Sequence, residues 1–137
     1  MTGDETGLPD RSGHEEALNI FPMGSGKGWA RFGLAWRPEL MALSDSDVPA
    51  SAPIISLMES ACERAVWSAL RNPLSSLALS LRVDHFRPAT GGKQLVAWAE
   101  CFRVSKRIAF VRGVAHDGDE DDPVANMSGS FFYRSAS

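Results

Sequence analysis

The chain has 137 residues, with 14 lysines and arginines against 17 aspartates and glutamates, giving a net charge of -3. That length supports one domain around one core, and the charge leaves no general attraction to nucleic acid or an anionic membrane. The first residues are polar, without the apolar stretch of a signal peptide. No run reaches membrane-spanning length, so a cytoplasmic protein with small or proteinaceous partners is expected.

Residues 1–18 are rich in Gly, Asp, Glu and Ser without apolar periodicity, which predicts a polar tail ahead of one domain over 19–137. Phe21–Gly28 contains Gly-Ser-Gly-Lys-Gly but lacks the spacing of a phosphate loop, so a turn is expected there. Trp29–Trp36 alternates as a strand and ends at Arg37-Pro38; the loop Ser44–Pro49 follows.

Pro53–Arg71 is the long stretch with helical periodicity. Ile54, Met58, Ala61 and Ala65 form one apolar stripe, widened by Ile55, Cys62, Val66 and Ala69, while Ser56, Ser60, Glu63, Arg64, Ser68 and Arg71 share the remaining arc. On that wheel Glu59 falls between Val66 and Leu70, where a carboxylate is partly desolvated and its proton affinity raised. It is the first candidate for chemistry, against the alternative of a carboxylate ion-paired with Arg64, Arg71 or a basic group from a neighbouring subunit. Pro53 suits the first helical position and Ser51 a cap. Backbone N–H groups at Ser51 and Ala52 would then favour developing negative charge.

After Asn72-Pro73 the chain reads as strands. Leu77, Leu79, Leu81, Val83 and His85 share one face of a strand closing at Arg87-Pro88, a face expected to be buried. Gly91-Gly92 leads into 94–104, and Ser105-Lys106 makes a tight hairpin into 107–115. The acidic run Asp117–Asp122 is read as a solvated connection out of register for calcium, and 124–133 is the final strand. Gly113 and Gly129 lie mid-strand, where they help a sheet bend. The order predicts an α+β fold, a curved five-stranded antiparallel sheet wrapped around one central helix. Cys62 and Cys101 sit among apolar residues and read as reduced thiols. His85 reads as a packed residue, no zinc spacing or Gly-x-Ser-x-Gly elbow is present, and no metal or cofactor is expected.

Ile54–Cys62, Leu81–Ala89, Val96–Gly113 and Ala125–Phe131, in that order, resemble the hotdog-fold acyl-CoA thioesterases of the phenylacetate-degradation type. The resemblance implies a homodimer, or a dimer of dimers, joined by strand 77–88 at the sheet edge, with acyl-CoA in a crevice between subunits. It places on Glu59 the acid that attacks the thioester or activates water, and on the backbone around Ser51 and Ala52 the groups that polarise its carbonyl. Where the family carries His-Gly-Gly before the helix, this chain has Ala50-Ser51-Ala52. Arg103, Lys106 and Arg107 cluster at the hairpin that lies near the nucleotide in such enzymes; they are either phosphate ligands or the charges of an exposed turn. The expected function is hydrolysis of a small or medium acyl-CoA. The alternative is a hotdog protein that binds acyl-CoA or another apolar ligand without turnover.

Overall fold

A computed structural model of the chain describes residues 19–36 and 51–136. The expected tail at 1–18 and the loop Ser44–Pro49 lie outside them. The elements are β1 (Ile20–Gly26), β2 (Trp29–Leu34), α1 (Ser51–Ala69), β3 (Pro73–His85), β4 (Leu95–Val104), β5 (Ile108–His116) and β6 (Ala125–Ser135). The six strands form one sheet in the order β1-β2-β4-β5-β6-β3, and every neighbouring pair is antiparallel. The sheet curves over α1, which packs mainly on β2, β4 and β5. This is the expected hotdog architecture, with six strands instead of five.

The extra strand is β1, read from sequence as a turn. Its turn is only Lys27-Gly28, where Gly28 takes φ +83°, a conformation that costs glycine no steric clash. Two features hid the strand. A register shift between Pro22 and Gly24 breaks its alternation, and Pro22 is tolerated because β1 is an edge strand with one side free of ladder bonds.

α1 buries Ile54, Leu57, Met58, Ala61, Cys62, Ala65 and Val66, matching the wide apolar stripe. Ala97 and Ala99 on β4, Ala109 and Ala115 on β5 and Ala125 on β6 are buried too. Small residues on both surfaces let the backbones approach closely, so contact is gained without large side chains. The Cys62 thiol donates to Met127 Sδ at 3.5 Å, and both cysteines are free thiols, as expected. The helix begins at Ser51, two residues before Pro53. Ser51 is therefore a first-turn residue and not the cap, and Pro53 stands third, where a missing N–H still costs no intrahelical bond.

The expected buried face of β3 is corrected by a bulge. Ala78 pairs with buried Phe131, but Ser80 already pairs with Ser130, so the shift at Leu79 exchanges the faces. Leu81 and Val83 pack on the core, whereas Leu77 and Leu79 are 64% and 52% exposed. The bulge depends on Gly129, because a Cβ there would collide with the Ser80 carbonyl and the Leu81 side chain.

Beyond β3 the chain is pinned by Arg87. Its guanidinium donates to both Asp117 oxygens, at 3.0 and 2.7 Å, and to the Asp122 carbonyl at 2.8 Å. The Thr90 N–H donates to Asp117 at 2.8 Å. The acidic connection is thus not wholly solvated: Asp117 is 5% exposed.

Candidate active site

Glu59 lies on the arc of α1 that the sheet leaves uncovered, together with Glu63. Its side chain is exposed, so the partial desolvation expected from the wheel is not provided within one protomer. The neighbouring Val66 is fully buried, yet Glu59 points past it to solvent. Neither Arg64 nor Arg71 holds it: among the described residues Glu59 has no hydrogen bond or ion pair. Burial, with a smaller contribution from the nearby Glu59 charge, pushes the Cys62 thiol up to about 12, so this cysteine stays protonated and unreactive.

The Ser51 and Ala52 N–H groups belong to the first turn of α1 and have no acceptor within the helix. Pro53 contributes none. Ser51 and Glu59 are eight residues apart on one helix, roughly 12 Å of axial rise. A single thioester cannot touch both ends of that distance, so within one protomer the two candidate groups are not brought together.

The tip of the β4–β5 hairpin opens onto a cleft of about 1060 Å³. Lys106 and Arg107 line it as neighbours. Arg103 does not; it pairs with Phe110 beyond a bulge in β4. Two arginines that the sequence reading did not assign also line the cleft: Arg71, just past α1, and Arg134, near the end of β6. They stand 63 positions apart in the sequence. The β3–β6 register, with Pro73 opposite Ser135 and Ser75 opposite Arg134, brings them to one place, and the Ala136 N–H donates to the Asn72 carbonyl at 2.9 Å. Tyr133 fixes the hairpin tip, its hydroxyl donating to the Ser105 carbonyl at 2.5 Å and its N–H to the Arg107 carbonyl at 3.0 Å.

Other candidates are absorbed by the fold. Trp67 Nε1 donates to Ser76 Oγ at 2.9 Å, tying α1 to β3. His85 is exposed at the end of β3 and not packed as expected. His116 is buried, and its Nδ1 accepts the Gly118 N–H at 3.1 Å. The Arg87 guanidinium holds the Asp117 carboxyl well below the usual carboxylate range, and the Thr90 N–H adds to the effect.

Comparison with known proteins agrees with this fold. No curated protein matches the sequence. Among solved structures, a protein from Pseudomonas aeruginosa is similar at 27% identity and a TM-score of 0.77, over 88% of this chain and 89% of that one. A mutant of the phenylacetic acid degradation protein PaaI from Thermus thermophilus is 25% identical, with a TM-score of 0.77 over 88% and 98% of the two chains. The Escherichia coli PaaI protein, at 19% identity and a TM-score of 0.80 over 93% and 88%, shares the fold. The profile of the thioesterase superfamily matches residues 52–124, which run from the start of α1 to the turn before β6. The chain belongs to the thioesterase superfamily.

Proposed function

We propose that the protein hydrolyses small or medium acyl-CoA thioesters, with Glu59 as general base for water or as the attacking nucleophile. The observation that carries this reading is an exposed carboxylate on the uncovered arc of an otherwise buried helix, without a partner among the described residues. A carboxylate serving the fold is paired, as Asp117 is; one kept unpaired is available to a substrate.

The working site needs two copies of the chain. β3 is a sheet edge of 13 residues that carries exposed Leu74, Leu77 and Leu79, an arrangement suited to pairing with its own mate. Antiparallel pairing of two such edges runs the helices in opposite directions. Glu59 of one protomer is then set against the Ser51–Ala52 end of the other, which removes the roughly 12 Å separation within one helix. The same contact covers Glu59 and supplies the desolvation that a lone protomer lacks. Water attacks the thioester carbonyl as Glu59 takes its proton, the helix-start N–H groups stabilise the oxyanion, and collapse expels the thiolate of coenzyme A.

A panel of acyl-CoA substrates with thiol detection tests the reading. Wild type releases thiol, and Glu59→Gln lowers turnover by about a hundredfold or more with little change in KM. Unchanged turnover in Glu59→Gln removes Glu59 from the chemistry. Tight binding of acyl-CoA without release by wild type supports the second reading, a non-catalytic binder. That reading is favoured by Pro53, which leaves the helix start one donor short.

A further inference from the structure

Ala78 and Phe131 stand opposite each other in the β3–β6 ladder and therefore share a face of the sheet, yet Phe131 is buried in the core and Ala78 is exposed. The shared face is the one turned toward α1, so the helix covers it at β6 and leaves it open at β3. α1 and β3 thus form the two banks of a groove. Glu59 and Glu63, one turn apart, are exposed on the helix bank. Val66, beside Glu59 on the wheel, and Phe131, beside Ala78 in the ladder, are buried, which makes the floor apolar.

One side chain crosses this groove. Trp67 leaves the helix two turns beyond Glu59, and its Nε1 donates at 2.9 Å to the hydroxyl of Ser76, which stands two positions before Ala78 on the same face of β3. The bond fixes the rotation of the indole as well as its reach, so the ring is a bar between helix and strand. Both residues are only half-buried, and the ring keeps an accessible surface. From Glu59 to Trp67 the helix rises roughly 12 Å, about the reach of an extended octanoyl chain.

A substrate whose carbonyl sits at Glu59 has two arms to place. The pantetheine arm carries amide groups, which find no partners on a floor of valine and phenylalanine, so the groove suits the apolar acyl arm. Resting on the hydrolase reading above, we infer that Trp67 is the end wall of the acyl groove and that its bond to Ser76 sets the longest acyl chain the enzyme accepts. Chains up to about octanoyl gain contact with each added methylene, and longer ones must displace the indole or fold back.

Hydrolysis of straight-chain acyl-CoAs from butyryl to lauroyl tests the wall. Wild type gains kcat/KM with length up to octanoyl and loses it at lauroyl; a gain that continues through lauroyl overturns the inference. Trp67→Ala raises kcat/KM for lauroyl-CoA relative to butyryl-CoA by about tenfold or more, and Ser76→Ala, which frees the ring without removing it, gives a smaller gain of the same sign. A folding defect lowers both substrates alike and does not move their ratio, so a ratio unchanged in both variants overturns the inference. The limit stays with the acyl group when coenzyme A is replaced by N-acetylcysteamine; a limit that vanishes with the shorter thiol belongs to the pantetheine arm and overturns it too. If wild type cleaves no thioester, the hydrolase reading falls, and binding of S-alkyl thioethers of coenzyme A decides the wall. Affinity then stops rising beyond S-octyl in wild type and continues to rise in Trp67→Ala, whereas an equal course in the two proteins, or no binding, overturns the inference.

Discussion

Two charged regions of the molecule are built on opposite rules. Just past β3, Arg87 is ion-paired with Asp117 and Asp122 of the β5–β6 connection, and Asp117 is buried by the arrangement. On the open side, Glu59 and the four cations of the cleft reach solvent without partners among the described residues. The difference separates charges that hold the fold from charges held ready for something else. Removing a member of the first set disturbs stability; removing a member of the second leaves stability alone and changes ligand handling.

The largest effect that would sharpen this contrast is expected at the open edge. Leu77→Lys with Leu79→Lys places two charges in the proposed pairing surface, and sedimentation should show a shift from dimer to monomer, accompanied by loss of hydrolysis. A variant that stays dimeric breaks the assignment of β3 as the joint. Next is Gly129→Ala, which forces the Ser80 carbonyl and Leu81 away from β6; urea unfolding should register a loss of about 2 kcal/mol. Asp117→Asn should follow, lowering Tm by on the order of 5 °C at neutral pH while turnover per folded molecule is kept. The sign with pH is fixed by the lowered pKa of the folded carboxyl: Asp117 contributes stability above its unfolded value of about 4, and that contribution is progressively lost as pH falls from there toward the depressed folded value. The gap between wild type and Asp117→Asn should therefore close in acid; a gap that widens there contradicts the ion-pair account. The smallest effect is expected for Arg71→Gln/Arg134→Gln, whose unfolding free energy should stay within about 0.5 kcal/mol of wild type. A larger loss makes these arginines structural and breaks the comparison.

Much of this was legible in the sequence, and the failures have physical causes. The helix was plain because seven buried positions recur at its period, and β4 and β5 because a short hairpin joins two apolar runs. β1 was missed because glycines and Pro22 carry no strand signal, and only its ladder with β2 makes it a strand. The exposure of Leu77 and Leu79 could not be read, since a one-residue bulge inverts a face without changing the hydrophobic pattern. Glu59 was singled out by its wheel position, but its exposure was not read, because a helical wheel does not say which arc the sheet leaves uncovered. Lys106 and Arg107 were adjacent in sequence and easily paired. Arg71 and Arg134 became neighbours only through the register of β3 on β6.

The strand order carries a consequence for how the polypeptide is made. β3 leaves the ribosome before β4, β5 and β6, yet its one partner within the chain is β6, the last strand to emerge. For the synthesis of some forty residues this leucine-bearing ribbon waits without a ladder, the period in which nascent chains are most exposed to stray association. A message cut short before β6 would therefore release a product with its stickiest segment uncovered, so synthesis of β6 acts as the step that makes the newborn ribbon safe.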